Sequence, residues 1–128
     1  MPTAAQLSRK DWAPYIQGAL RRSDPPEPSQ DDLRERDRLL KRVRQAAAVL
    51  KSRFGARRVI LFGSLAHRER FHEDSDVDLA VEGLRGEAYL TAWGVVEDAI
   101  RDRSVDLVEV ETATDSLRSS IQRSGIVL

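Results

Sequence analysis

The chain has 128 residues, no cysteine and a formal net charge of zero. One domain with a single core is expected at that length; disulfides and thiolate metal sites are excluded, and a neutral balance argues against a general nucleic-acid binder, which is usually strongly basic. No apolar stretch approaches a membrane span and the N-terminus lacks a signal peptide's apolar core, so a soluble, cytoplasmic protein with no membrane partner is the expectation.

The neutrality conceals a division. Residues 1–58 carry 14 Lys and Arg against 7 Asp and Glu, a balance of +7, whereas residues 59–128 carry 7 against 14, a balance of −7. A basic half can dock on an acidic partner, but helical charge runs are usually solvated faces, and the favoured reading is that it offsets the acidic half within the fold.

At the N-terminus, Asp11 can cap a first helix, with Pro14 in its opening turn and Trp12, Tyr15, Ile16, Ala19 and Leu20 along one side. Residues 23–30, SDPPEPSQ, cannot continue a helix and read as a linker. Residues 1–30 are therefore expected to form a helical arm and linker, and residues 31–128 the domain. A long helix is expected over residues 32–54, ending at Gly55, with a seam of Leu33, Leu40, Val43, Ala47, Leu50 and Phe54. Next comes a short apolar run, Val59-Ile60-Leu61-Phe62, bounded by Gly63 as a core strand should be. Gly63 lets the chain turn sharply and lets a ligand approach the backbone. Ser64 follows where a helix could begin, able to cap it and to present N–H groups to a phosphate.

After a charged connection, Asp76-Val77-Asp78-Leu79-Ala80-Val81 alternates with period two. Asp76 and Asp78 then project from one face of a strand, while Val77, Leu79 and Val81 pack on the other. Residues 86–103 supply a crossover helix, with Leu90, Trp93, Val96 and Ile100 on one face; Tyr89 and Trp93 read as core rather than as a base-stacking platform. The next strand, Val105-Asp106-Leu107-Val108-Glu109-Val110, places Asp106 with Val108 and Val110, and Glu109 on the opposite face. A last helix capped by Thr114 turns Leu117 and Ile121 inward and stops at Gly125. Ile126, Val127 and Leu128 are expected to cover core or pair at a sheet edge. The expected fold class is α/β: a three-stranded mixed sheet, its first two strands antiparallel, backed by helices.

An anion-binding turn beside a carboxylate pair suits Mg²⁺-assisted chemistry on a nucleoside triphosphate, because the turn can hold phosphate and the aspartates can hold metal. Alone, Asp-x-Asp is usually solvated loop chemistry and Gly-Ser only a turn; on consecutive strands with touching ends they say more. Asp106 is costly to bury unless paired or metal-bound, the alternative being a solvent-exposed strand end. For Asp106 to meet Asp76 and Asp78 the two strands must run parallel, which needs a crossover of the length that residues 86–103 provide. Of the two histidines, His72 reads as an exposed loop residue, and His67, just after the Gly-Ser turn, as either a loop residue or a triphosphate contact.

Gly63-Ser64, then eleven residues, then Asp76-Val77-Asp78 between apolar strands resembles the nucleotidyltransferase superfamily typified by DNA polymerase β, and above all its minimal nucleotidyltransferase members. The interval in those members is usually ten and an Ala-Arg-Gly follows the turn; here Ala66-His67-Arg68 stands there. The resemblance implies a polymerase β-like fold and transfer of AMP from ATP. It implies Asp76, Asp78 and Asp106 as catalytic carboxylates and ligands of two Mg²⁺ ions, for which Mn²⁺ can substitute. Gly63, Ser64 and His67 become the nucleotide contacts. A chain of this length has little room for an acceptor pocket, and the likeness to minimal nucleotidyltransferase antitoxins implies a tyrosine of a HEPN-domain toxin as acceptor. The alternatives are a small-molecule adenylyltransferase and a non-catalytic protein that masks a toxin by contact. The basic helix and the segment near Trp12 are the surfaces expected to meet a partner.

Overall fold

The computed structural model describes residues 27–128; the expected N-terminal helix around Trp12 and most of the linker lie outside them. Helix α1 runs Gln30–Phe54. It begins two residues ahead of the expected start, because Ser29 and Asp32 form a reciprocal capping box: Asp32 N donates to Ser29 Oγ and Ser29 N to Asp32 Oδ2, each at 3.0 Å. Gly55 ends it in the left-handed conformation (φ 79°, ψ 21°). Strands β1 (Arg58–Phe62), β2 (Val77–Glu82), β3 (Val105–Glu109) and β4 (Ile126–Val127) form one sheet in the order β3-β2-β1-β4. Strand β1 is antiparallel to β2 and β4, and β2 is parallel to β3. The three expected strands thus gain a fourth, in which the terminal segment pairs at the sheet edge.

Helix α2 (Gly86–Ile100) makes the crossover between the parallel strands, and α3 (Asp115–Ser124), capped by Thr114 Oγ1 on Leu117 N at 3.2 Å, leads into β4. The sheet has two unlike faces. Val59, Leu61, Leu79, Val81 and Leu107 pack with Leu39, Val43 and Leu50 of α1 and Val96 and Ile100 of α2 in the main core. On the other face Ile60 and Ala80 meet Ile121 of α3, with Phe62, Val108 and Leu117 around them.

Leu90 departs from expectation: it is 63% exposed. The buried stripe of α2 runs instead through Ala92, Val96 and Ile100, flanked by half-buried Tyr89 and Trp93. Those two side chains have apolar bodies and polar tips. The Tyr89 hydroxyl donates to the Leu107 carbonyl, and Trp93 Nε1 donates to the Val105 carbonyl at 3.2 Å. They cover carbonyls of β3, the edge strand that would otherwise be open to further pairing. Several basic residues of α1 make contacts within the chain. Arg34 pairs with Asp31 and Arg38 with Glu35, Arg36 Nε donates to the Leu65 carbonyl, and Arg42 donates to the Ile100 carbonyl. No described helix is long and apolar enough to cross a membrane.

Candidate active site

The period-two alternation of β1, β2 and β3 sets a row of residues across the sheet. Phe62 pairs with Asp78, and Asp78 with Asp106. Cross-strand partners share a face, so Asp78 and Asp106 stand side by side with backbones about 4.8 Å apart. They lie on the face opposite α1 and α2, one row beyond the patch that α3 covers. Asp78 is half-buried and Asp106 exposed, so the strand is not asked to bury the latter. Asp76 precedes β2 on the exposed loop leading into it, and Val77 N donates to the Ser104 carbonyl at 2.9 Å to start the parallel ladder. Glu109 pairs with Val81 at the far end of β3, and Glu111 accepts from Gly83 N at 2.8 Å; neither reaches the Asp78–Asp106 row.

Gly63 brings β1 back toward this row. Its φ of 80° and ψ of −163° suit glycine alone. A Cβ there would fall on Asp78 Oδ2 and lie only 3.2 Å from Asp78 Cγ, so the missing side chain makes room for the carboxylate. Ser64 does not cap a helix as expected. It opens a single 3₁₀ turn, Ser64–Ala66, in which Gly63 is the cap and no side chain takes part. His67 follows, half-buried, with Nε2 enclosed and without a hydrogen-bond partner among the described residues. His72 is exposed, and its Nδ1 accepts from Asp74 N at 3.2 Å.

Carboxylate oxygens are the donors that Mg²⁺ prefers. The register brings two of the three predicted carboxylates together, and the third sits on the adjoining loop. As the chain stands, the described residues gather no group of three or more acidic or histidine side chains able to hold a metal ion. The donors fit a divalent cation in type. Tyr89 lies near enough to feel the same charge: burial pushes its phenol up, and the negative charges of Glu109 and Asp106 add to that, so the hydroxyl stays a donor.

Sequence reasoning did not anticipate Arg103 or Ser75, which shape the loop ahead of Asp76. A cavity of about 180 Å³ runs along this loop between Glu73, Asp76, Asp102 and Ser104. A larger cleft of about 440 Å³, lined by Arg57, Gly83, Arg85 and Glu111, lies at the opposite end of the sheet, away from the carboxylate row.

Residues 44–128 match the family described as polymerase beta, nucleotidyltransferase. A solved structure described as a minimal nucleotidyltransferase is 34% identical, with a TM-score of 0.58 over 70% of this chain and 92% of that one. A mutant of the toxin–antitoxin MntA-HpeT is 25% identical, with a TM-score of 0.50 over 72% of this chain and 69% of that one. A toxin–antitoxin with AMP-PNP shares the fold at 24% identity, with a TM-score of 0.50 over 72% and 70% of the two chains. No individually curated protein matches. Since the matched segment holds every strand of the sheet and the whole carboxylate row, the chain belongs to the polymerase beta nucleotidyltransferase family.

Proposed function

We propose that the protein transfers AMP from ATP to a hydroxyl of a partner protein, a tyrosine of a HEPN-domain toxin, and so acts as an antitoxin. The observation that carries this reading is the register that sets Asp78 beside Asp106, with the backbone of Gly63 against the Asp78 carboxylate. Family membership supports the transfer chemistry, and the likeness to MntA-HpeT supports a toxin as the partner. In the transfer, the acceptor oxygen attacks the α-phosphorus of ATP, the bond from that phosphorus to the bridging oxygen breaks, and pyrophosphate leaves. Asp106 receives the acceptor's proton. Backbone N–H groups at Gly63 and Ser64 hold the β- and γ-phosphates, with His67 beside them. Asp76, Asp78 and Asp106 would hold Mg²⁺ or Mn²⁺, which when bound offsets charge on the triphosphate and makes the acceptor hydroxyl more acidic.

The test is incubation with ATP, Mg²⁺ and a HEPN-domain toxin, read by mass spectrometry. An adenylyl group on a tyrosine peptide of the partner is expected. Neutralisation without added mass, equally good with Asp76→Asn, would mean masking by contact; modification of small-molecule hydroxyls alone would replace the toxin as acceptor.

A further inference from the structure

Arg103 is an enclosed charged side chain near the carboxylates, at 8% exposure. It stands just ahead of β3, yet its contacts are with the loop ahead of β2. Its Nη1 donates to the Glu73 carbonyl at 2.8 Å and to the Ser75 carbonyl at 2.7 Å. The guanidinium lies 5.2 Å from the centre of the buried Phe71 ring, and Nη2 lies 3.6 Å from Glu35 Oε2 on α1. The loop has a second tie of its own: Ser75, itself buried, accepts through Oγ from His72 N at 2.9 Å. Asp76 is the next residue along, joined to Ser75 through the peptide whose carbonyl Arg103 holds.

Burying a guanidinium is costly unless hydrogen bonds and charge repay it. A loop that needed only to close could do so through Ser75 and Phe71. The cation adds a fixed link between the loop before β2 and the start of β3, the two segments that carry Asp76 and Asp106. We infer that Arg103 is a positioning residue for the carboxylate site, holding the Glu73 and Ser75 carbonyls so that Asp76 is presented toward the Asp78–Asp106 row. This rests on the nucleotidyl-transfer reading and deepens it. Lysine cannot replace arginine here, because an ammonium on a flexible stem is a point charge and does not reproduce the planar fork stacked on Phe71.

The test compares the full chain with Arg103→Lys and Glu35→Gln, reading Mn²⁺ binding in the presence of α,β-methylene-ATP and amide hydrogen exchange at residues 75–77. Arg103→Lys should weaken Mn²⁺ affinity by about 10-fold or more, the usual effect of removing a group that orients a metal ligand, and should speed exchange at those amides. Glu35→Gln leaves both carbonyl bonds in place and should change affinity less than about twofold, since it removes a partly exposed ion pair. Unchanged affinity in Arg103→Lys, or equal losses in both variants, overturns the inference. If Arg103→Lys fails to fold, Phe71→Leu, which keeps the site apolar but removes the ring beneath the guanidinium, should weaken affinity in the same direction, and unchanged affinity there overturns it too. No binding by the unsubstituted chain overturns the nucleotidyl-transfer reading and the inference with it.

Discussion

Gly63 and Gly55 offer a matched pair of tests, because they share a positive φ and differ in what surrounds them. At Gly55 (φ 79°) nothing lies within 4 Å of the point where a Cβ would stand, so alanine there meets only backbone strain. That strain is about 1–2 kcal/mol for an L-residue in the left-handed region, reduced by about 0.4–1 kcal/mol because alanine also restricts the unfolded chain. Gly55→Ala should therefore cost about 1 kcal/mol, a fall in Tm of about 4–8 °C for a domain of this size. At Gly63 the φ,ψ pair is essentially glycine's alone and costs about 1–3 kcal/mol for other residues. The new methyl also meets Asp78 at its carboxylate oxygen, at Cγ (3.2 Å) and at Cβ (3.3 Å), so rotating the carboxylate does not relieve the whole contact. Forcing that side chain off its rotamer adds about 0.5–1.5 kcal/mol, which, with the same offset from the unfolded chain, brings Gly63→Ala to about 2 kcal/mol. Urea denaturation measures both costs, and nucleotide transfer should be lost only in Gly63→Ala. Equal stability losses at the two glycines, with transfer retained in Gly63→Ala, would refute the claim that Gly63 is there to admit the Asp78 carboxylate.

Other consequences are open to simple tests. Arg101 ends α2 at φ 67°, ψ −54°, and Asp102 N donates to the Ile100 carbonyl at 2.7 Å around it, a tight turn of the rarer hand; Arg101→Gly should raise stability by up to about 1 kcal/mol, seen as a higher Tm. Burial pushes the Glu111 carboxyl up, but hydrogen bonds from its own backbone and from Gly83 N, and the Arg57 and Arg85 charges, leave it below its ordinary value of 4.5. Its contribution to stability is thus present above that value and lost as pH falls through the lower folded one; Glu111→Gln should flatten the acid limb of the stability–pH profile, and an unchanged limb would count against it. Tyr89→Phe leaves the Leu107 carbonyl without its side-chain donor and should cost about 1 kcal/mol in denaturant titration.

Much of the site was legible because strands announce their faces. Alternation in residues 76–81 and 105–110, with a crossover of sufficient length between them, was enough to place Asp106 next to Asp78 from the sequence alone. Gly63 could be read as a turn, though not as the space in which a carboxylate sits, because that depends on the strand paired beside it. The start of α1 was missed for a local reason: Ser29 looked like part of a proline-rich linker, while the Asp32 three residues on completes its capping box. Leu90 was misplaced because helical spacing groups it with Trp93, Val96 and Ile100, whereas the buried stripe is turned toward the side of Tyr89 and Ala92. Arg103 and Arg36 escaped notice for a deeper reason. Their partners are backbone carbonyls about 30 residues away in sequence, and any residue type can supply a carbonyl.

The central claim is that the Asp78–Asp106 row binds a metal–nucleotide complex, and ligand-induced stabilisation tests it most directly. The measurement is the melting of the full chain and of Asp106→Asn with Mg²⁺ and α,β-methylene-ATP at millimolar concentration. Ligand at about 100 times its dissociation constant stabilises the folded state by about 2.7 kcal/mol. A clear rise in Tm is predicted for the unsubstituted chain and little or none for Asp106→Asn, with the two melting alike when metal and nucleotide are withheld. No rise in the unsubstituted chain, or the same rise in both, would contradict the claim.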